Sequence, residues 1–195
     1  HLQVARMTDG AARDQSLARA EEGADRLHRT LEQLLLLARV EGSLSFDDGV
    51  HCNAEQVVRL AIQDAAVGAR QRVKVHLGEH TAEAPVAMPS TLAIAALRNL
   101  LDNALRHTPQ DCPVELNLEL VAGRLRFQVR DHGPGIAQED LQHLTQRFWR
   151  NSQSTGCGLG LAIVQAIVQR CACELHFDSL PDGLRVELTL PAHRA

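Results

Sequence analysis

A run of strictly alternating polar and apolar residues at positions 124–130 constrains the fold more than any other feature of this sequence. Its odd positions carry Leu125, Phe127 and Val129, whereas its even positions carry arginine or glutamine. Because successive side chains of a strand point to opposite faces, the odd positions must face an apolar core and the even ones solvent. The chain therefore needs a sheet with one buried face, and Asp131 continues the buried series.

The surrounding segments supply the rest of that sheet and the helices that cover it. Strands are predicted at 73–77, 114–121, 124–131, 173–178 and 184–190, and helices at 53–68, 89–108, 138–144 and 158–170. Ala122-Gly123 and Pro181-Asp182-Gly183 are turn signals that join neighbouring strands as hairpins. Helices and mostly antiparallel strands in this proportion predict an α/β fold, a two-layer sandwich with a mixed, mostly antiparallel sheet.

A different pattern precedes this domain. Aliphatic residues recur at alternate steps of three and four, at positions 17, 20, 24, 27, 31, 34 and 38. That spacing predicts a helix with one apolar seam, as in a coiled coil or an antiparallel bundle. Leu35, Leu37 and Val40 widen the apolar stripe near its end, which is typical of a bundle of more than two helices.

The ends of this helix define the predicted domain boundaries. Gly42-Ser43 ends the helix, residues 1–7 have the pattern of the last turns of a preceding helix, and Asp9-Gly10 is a turn signal. We therefore predict a partial helical hairpin at 1–41 that needs a partner. A linker follows at 42–50, and a separate domain occupies 51–195.

Composition excludes several classes of protein. The chain has 20 basic and 24 acidic side chains, so no basic excess is available to neutralise the phosphates of a nucleic acid. Hydrophobic residues make up 45% and charged residues 23%, which is typical of a globular rather than a disordered chain. The five cysteines follow no disulfide-framework spacing, and we expect reduced thiols. No apolar stretch approaches the roughly 20 residues that a membrane-spanning helix needs.

The helix predicted at 89–108 carries two carboxamides four residues apart, Asn99 and Asn103, with Arg106 and His107 one turn further on. Residues four apart lie on the same face of a helix. Asparagine is a poor helix former, so two of them in a helix interior call for a reason. Amide oxygens could hold Mg²⁺ on the phosphates of a nucleotide without adding negative charge. Two solvated amides on an exposed face are the alternative that these residues leave open.

Asp131 and the glycines after it form a second candidate site. A carboxylate that points into an apolar interior needs hydrogen-bond donors, and the amino group of adenine is one such donor. Gly133 and Gly135 allow a close backbone approach or a positive φ. An aspartate that closes a tight turn through its own backbone is the alternative.

The third candidate is the glycine-rich stretch Gly156-Cys157-Gly158-Leu159-Gly160, which immediately precedes an apolar helix. Free N–H groups and the positive end of a helix dipole favour a phosphate there. A flexible hinge is the alternative. No strand precedes these glycines, and no Gly-Lys-Ser/Thr follows them, so neither a Rossmann fingerprint nor a Walker loop fits.

The order of these motifs resembles the N, G1, F and G2 boxes of bacterial sensor histidine kinases. The four matching segments are Asn99-Leu-Leu-Asp-Asn103-Ala-Leu-Arg106-His107-Thr108, Asp131-His-Gly133-Pro-Gly135-Ile136, Arg147-Phe148-Trp-Arg150 and Gly156-Cys-Gly158-Leu-Gly160-Leu-Ala. The resemblance covers residues from about 43 to about 192 and is closest to membrane-anchored, osmoregulator-type sensors. It implies a Bergerat (GHKL) ATPase fold, with 51–195 as the catalytic ATP-binding domain. The helix before it resembles the second helix of the dimerisation and phosphoacceptor domain of that family.

The resemblance also implies the roles of individual residues toward Mg-ATP. Asn103 would coordinate Mg²⁺, and Asn99 would support the metal or its water. Arg106 would contact the phosphates, His107 would pack against the nucleotide, and Asp131 would bind the adenine amino group. Arg150 would reach the γ-phosphate and, with Asn99, Asn103 and Arg106, would make up the catalytic set. The other implied nucleotide contacts are Gly133, Gly135, Ile136, Phe148, Gly156, Gly158, Leu159 and Gly160.

The function that follows is transfer of the γ-phosphoryl group of ATP to a histidine, for relay to an aspartate of a response regulator. The phosphoacceptor motif is absent, so we expect this chain to bind ATP without phosphorylating itself. Ala95 stands where many members of the family carry Glu or Gln. The resemblance further implies a homodimer through the hairpin, in the cytoplasmic portion of a bacterial inner-membrane sensor whose membrane segments lie outside this chain.

Two alternative functions are weighed against this one. The first is a nucleotide-binding, signal-transmitting dimerisation module without kinase turnover. The second is an ATPase that uses hydrolysis for conformational work, which lacks here the long extra domains that such proteins need.

Overall fold

The computed structural model describes residues 10–42, 52–65, 69–149 and 157–191. The elements in chain order are α1 (Ala11–Glu41), α2 (Ala54–Asp64), α3 (Ala69–Arg72), β1 (Val73–Leu77), α4 (Ser90–His107), β2 (Val114–Val121), β3 (Arg124–Arg130), a 3₁₀ turn (Leu141–His143), α5 (Gly160–Cys171), β4 (Glu174–Leu180) and β5 (Gly183–Thr189). The helical turns predicted at 1–7 and all of the predicted linker except Gly42 lie outside the described residues.

The strands form one five-stranded sheet in the order β1-β2-β3-β5-β4. Only β1 and β2 pair in parallel, and the other neighbours are antiparallel. Phe127 of β3 lies opposite Leu118 of β2 and Leu188 of β5, and all three side chains are buried. Helix α4 packs on β2 and β3, and α5 packs on β4. The predicted two-layer α/β sandwich with a mixed, mostly antiparallel sheet is thus confirmed.

The buried face of the sheet follows the predicted alternation. Leu125, Phe127 and Val129 are each at most 4% exposed, and their even-numbered neighbours lie on the outer face. On that outer face Arg126 pairs with Glu119 of β2 and Glu187 of β5. The polar side chains of the outer face therefore pair across neighbouring strands, and the apolar side chains of the other face form the core.

Two helices differ in length from their predictions. Asn53 starts α2 with a reciprocal capping box, in which its side chain accepts the N–H of Gln56 and the Gln56 side chain accepts the N–H of Asn53. The helix ends at Asp64, earlier than predicted. The helix predicted at 138–144 is shorter in the structure and consists of the 3₁₀ turn at Leu141–His143. Leu141 and the buried Leu144 are three residues apart, and a 3₁₀ turn places such residues on one side.

Helix α1 has two apolar faces, of which one is exposed and the other is buried. The predicted seam is exposed in the single chain: Leu27 is 70%, Leu31 58% and Leu34 41% exposed. Of the three residues predicted to widen this stripe, Leu35 is exposed, whereas Leu37 and Val40 belong to the main core, where α1 packs against α5. No helix among the described residues has both the length and the apolar character of a bilayer span.

Candidate functional site

The site lies where the C-terminal end of α4 meets the loop that follows β3. The two segments touch through their backbones, since a Cβ on Gly133 would lie 2.7 Å from the carbonyl oxygen of His107. The hydroxyl oxygen of Thr108 accepts the N–H of His132 at 3.3 Å. Only glycine allows so close an approach at position 133, and this contact brings the asparagine helix and the Asp131 loop together.

Asp131 is the one buried carboxylate among the described residues, with 4% of its surface exposed. Its Oδ1 accepts the N–H groups of Gly133 at 2.9 Å and Leu184 at 3.1 Å. In the described part of the chain no hydrogen bond to protein falls on Oδ2, so this oxygen is left to accept a donor from a ligand. The turn-closing interpretation and the ligand-binding interpretation of Asp131 therefore use different oxygens of one carboxylate.

The turn between β4 and β5 forms a wall against Asp131. The backbone N–H of Asp131 donates to the carbonyl oxygen of Leu184 at 3.0 Å. Gly183 has a φ of +143°, and a Cβ there would lie 2.0 Å from the carbonyl oxygen of Asp131. Any other residue would force the turn away from Asp131, so Gly183, predicted only as part of a hairpin turn, also belongs to the site.

Electrostatics set the protonation of the two titratable groups of the site. Burial raises the pKa of Asp131 above its ordinary value, and the N–H groups of Gly133 and Leu184 oppose that rise. Burial also lowers the pKa of His107, an effect that nearby Asp131 opposes and Arg106 reinforces. Burial therefore favours the neutral form of His107, and the carboxylate of Asp131 would be stabilised by a further hydrogen-bond donor.

The two asparagines of α4 have different environments. Asn99 is 3% exposed, its Nδ2 donates to the carbonyl oxygen of Ala95 at 2.8 Å, and its Oδ1 accepts from Nε2 of Gln33 at 3.4 Å. Asn103 is half-buried, and no hydrogen bond to its side chain occurs among the described residues. Two solvated amides on an exposed face therefore do not describe this helix, because Asn99 is fully enclosed.

The glycine-rich segment packs against the segment around Phe148. Gly158 has a φ of +71°, and a Cβ there would lie 2.8 Å from the Cα of Phe148. The N–H of Phe148 donates to the carbonyl oxygen of Gly158 at 2.9 Å. A Cβ on Gly160, the first residue of α5, would lie 3.2 Å from Oδ1 of Asn99. The start of α5, whose first N–H groups have no partner within the helix, is thus held beside α4.

The remaining predicted residues fall into three groups. Leu159 is fully buried and Phe148 is 61% exposed, so the side chain of Leu159 serves the core and only its backbone can face a ligand. Arg106 is exposed at the end of α4. Arg150 and Gly156 lie outside the described residues.

The end of the Asp131 loop is fastened to β4. Gly135 has a φ of +72°, and a Cβ there would lie 2.8 Å from the carbonyl oxygen of Leu180. The hydroxyl of Ser179 donates to the carbonyl oxygen of Ile136 and accepts its N–H. The loop between β3 and the 3₁₀ turn is therefore a rigid wall, held on one side by α4 and on the other by β4.

Comparison with known proteins accounts for this arrangement. The family model described as "Histidine kinase-, DNA gyrase B-, and HSP90-like ATPase" matches residues 89–194, which include α4, the Asp131 loop and the glycine-rich segment. The chain belongs to this ATPase family.

Its relatives within this family are sensor proteins. The sensor protein QseC of Salmonella typhi is 34% identical over 180 residues, which are 90% of this chain and 39% of that protein. The sensor protein kinase PmrB of Pseudomonas aeruginosa is 34% identical over 204 residues, which cover 98% of this chain and 41% of that protein. The chain thus spans about two fifths of the length of the curated relatives it matches.

A solved structure leads to the same conclusion. The histidine kinase domain of the E. coli osmosensor EnvZ aligns with a TM-score of 0.57 and 29% identity, covering 74% of this chain and 89% of that domain. The predicted resemblance to the catalytic domain of bacterial sensor histidine kinases, with a GHKL-type fold, is confirmed.

The structure of this ATPase domain adds a residue that sequence reasoning missed. The guanidinium of Arg72 donates to the carbonyl oxygens of Leu105 (3.4 Å), Thr108 (3.0 Å), Pro109 (2.7 Å) and Cys112 (3.3 Å). A cation at the C-terminal end of a helix satisfies carbonyls that have no partner in the helix. Arg72 thus fixes the end of α4 that carries His107. No motif marks it, because its partners lie 33 to 40 residues further along the chain.

Proposed function

We propose that this chain is the ATP-dependent catalytic part of a sensor histidine kinase, which binds Mg-ATP between α4, the Asp131 loop and the glycine-rich segment. The carboxylate of Asp131 carries this proposal. Its Oδ1 is held by two backbone N–H groups, so Oδ2 has a fixed position from which to accept the 6-amino group of adenine. Guanine presents a carbonyl oxygen at that position, which a carboxylate repels.

The amide of Asn103 fits a divalent cation. It is half-buried, and among the described residues its oxygen has no protein partner. Magnesium takes oxygen ligands and is shared with the phosphates of its nucleotide, so Asn103 is the residue that would hold it. When bound, the metal supplies positive charge that neutralises the phosphate oxygens. Asn99 can support the metal or its water only after its hydrogen bond with Gln33 is broken.

The chemistry proposed is transfer of a phosphoryl group to a histidine of the dimerisation domain. A bond forms between the histidine nitrogen and the γ-phosphorus as the bond to the β–γ bridging oxygen breaks, and ADP leaves. The residues of this chain would position the nucleotide and neutralise the negative charge of its phosphates. Arg106 at the end of α4 and the free N–H groups at the start of α5 face the phosphates, and Arg150 is proposed to reach the γ-phosphate.

The partners follow from the same proposal. The exposed seam of α1, with Leu27 70% and Leu31 58% exposed, supports homodimerisation through the hairpin. The phosphoryl group is then passed to an aspartate of a cognate response regulator. We propose that the parent protein is an inner-membrane sensor and that this chain is part of its cytoplasmic portion.

A transfer experiment tests the proposal. The chain is mixed with Mg²⁺, γ-labelled ATP and a polypeptide that carries the acceptor helix of the same sensor. We expect label on the acceptor, none on the chain itself, and at least a tenfold loss with Asn103→Ala. The matched control is Asn117→Ala on the outer face of β2, where Asn117 bonds only the neighbouring Gln128 in the described structure. Equal labelling by both variants would contradict the assigned role of Asn103.

The same experiment distinguishes the binding-module alternative. Ala95 of α4 has no carboxylate with which to assist proton transfer, which is the observation that favours a module without turnover. Tight binding of ADP and ATP, without label on the acceptor, would support that alternative. Steady release of labelled phosphate by the chain alone would instead indicate an ATPase.

A further inference from the structure

One side chain of α1 reaches into the candidate nucleotide site. Gln33 lies between Asn99 and Cys157: its Nε2 donates to Oδ1 of Asn99 at 3.4 Å, and its Oε1 accepts from Sγ of Cys157 at 2.7 Å. Cys157 directly precedes Gly158 in the glycine-rich segment. A single glutamine from outside the ATPase domain therefore contacts both the asparagine helix and the glycine-rich segment.

Contacts further along α1 hold Gln33 in this place. Leu37 and Val40, one and two turns beyond it, are 3% and 2% exposed in the main core. Nη1 of Arg170 in α5 donates to the carbonyl oxygens of Val40 at 2.8 Å and Gly42 at 2.5 Å. The position of Gln33 is thus a consequence of how the last two turns of α1 dock on α5.

An ion pair also joins α1 to the segment before the glycines. Glu41, the last residue of α1, pairs with Arg147 of the F-box motif. Together with Gln33, this contact ties α1 to residues on both sides of positions 150–156. Any displacement of α1 must therefore break contacts with three of the four motifs, at Asn99, Arg147 and Cys157.

The contact with Gln33 determines what Asn99 can do. Both polar atoms of its amide are engaged, Nδ2 by the carbonyl of Ala95 and Oδ1 by Gln33, and 3% of the residue is exposed. In this arrangement its oxygen is not free for a metal or for a metal-bound water. The half-buried Asn103 has no such engagement among the described residues. Of the two asparagines, only Asn99 has a hydrogen bond to α1 among the described residues.

We propose that Gln33 is a positioning residue that opposes nucleotide binding, because docking of α1 and binding of Mg-ATP compete for the oxygen of Asn99 and for the glycine-rich segment at Cys157. This inference rests on the proposed function, since it names the regulation of that site. Competition is reciprocal: release of Gln33 strengthens nucleotide binding, and nucleotide weakens the docking of α1 by the same factor. The loss of about one net hydrogen bond predicts an affinity gain of about 3- to 10-fold.

A matched pair of variants in the full chain tests the affinity gain. Gln33→Met keeps the length and helix propensity of the side chain but removes its donor and its acceptor. Gln15→Met is the same change at an exposed position of the same helix. Calorimetry with Mg²⁺ and a non-hydrolysable ATP analogue should give 3- to 10-fold tighter binding for Gln33→Met and unchanged binding for Gln15→Met. Unchanged or weaker binding by Gln33→Met would overturn the inference.

A double substitution shows whether Gln33 acts through Asn99. In an Asn99→Ala background the oxygen that Gln33 engages is gone and its contact with Cys157 remains, so the gain from Gln33→Met should be smaller than in the wild-type background. A gain as large as in the wild-type background would mean that Gln33 does not act through Asn99 and would refute competition for the oxygen of Asn99.

Hydrogen exchange on the wild-type chain needs no variant and covers the case in which Gln33→Met does not fold. Saturating Mg²⁺ and ATP analogue should speed exchange of the amides at 33–41, because the undocked end of α1 frays more readily. Slower or unchanged exchange there would refute competition. A wild-type chain that does not bind the analogue at all would refute the proposed function itself, whereas normal binding with unchanged Gln33→Met affinity refutes only this inference.

Discussion

The substitution Asp131→Asn separates the two jobs of this carboxylate. An asparagine has the same shape, and its amide oxygen can accept the N–H groups of Gly133 and Leu184 in place of Oδ1. Its Nδ2 then stands where Oδ2 stood. Oδ2 is the proposed acceptor of the adenine amino group, so the variant sets a donor against a donor.

The size of the effect follows from the bonds concerned. A hydrogen bond to a charged acceptor contributes about 1.5–3 kcal/mol, so its loss predicts ATP binding that is about 10- to 150-fold weaker. The substitution should not destabilise the folded protein. Burial raises the pKa of Asp131, which means that the folded protein holds the charge at a cost, and a neutral amide removes that cost. The free energy of unfolding at pH 7 should therefore stay the same or increase.

Calorimetry with Mg²⁺ and ATP, together with urea unfolding, measures both quantities. Asp182→Asn is the matched control, because Asp182 is an exposed residue of the β4–β5 turn that pairs with Arg130 on the surface. Inosine triphosphate adds a test of direction, since its 6-oxo group accepts a hydrogen bond and should regain affinity relative to ATP in the asparagine variant. Unchanged ATP affinity in Asp131→Asn would refute the assignment of Oδ2 to the base.

Two further predictions concern α4. Arg72→Met should lower the free energy of unfolding by about 1–3 kcal/mol in urea titrations, because the carbonyl oxygens at the end of α4 lose their shared cation, and a loss below about 0.5 kcal/mol would contradict that role. Burial lowers the pKa of His107 below its ordinary 6.5, so the unfolded chain takes up this proton first as the pH falls. The free energy of unfolding should thus decrease below pH 6.5, and His107→Gln should reduce that decrease. Equal pH dependence in wild type and variant would show that His107 is not responsible.

Local patterns made much of the domain predictable from sequence. The burial of Asp131 follows from parity alone, because it is the next odd position after Leu125, Phe127 and Val129 in a strand with one buried face. The start of α2 at Asn53 follows from its capping box. These features depend on residues a few positions apart, which a sequence displays directly.

Contacts between distant segments were not predictable in the same way. The environment of Asn99 depends on Gln33, which is 66 residues away, and the end of α4 depends on Arg72. A glutamine on a helix or an arginine before a strand has no distinguishing pattern, since such side chains are common on any surface. Only the packing of the elements shows which of them reach a site.

Helix α1 illustrates why an apolar stripe alone does not reveal its partner. The seam at Leu27, Leu31 and Leu34 was found from its spacing, yet the spacing could not tell that Leu37 and Val40 belong to a second face. Successive residues of an α-helix point in different directions, so an exposed apolar face and a buried one can occur within two turns. The packing of α1 against α5 determines which of these residues are buried, and it also fixes the position of Gln33.

The most direct test of the account is a crystal structure of this chain with Mg²⁺ and a non-hydrolysable ATP analogue. We expect the 6-amino group of adenine within hydrogen-bond distance of Oδ2 of Asp131, and the metal on the amide oxygen of Asn103. An analogue bound elsewhere, or one whose base leaves Asp131 without contact, would contradict it.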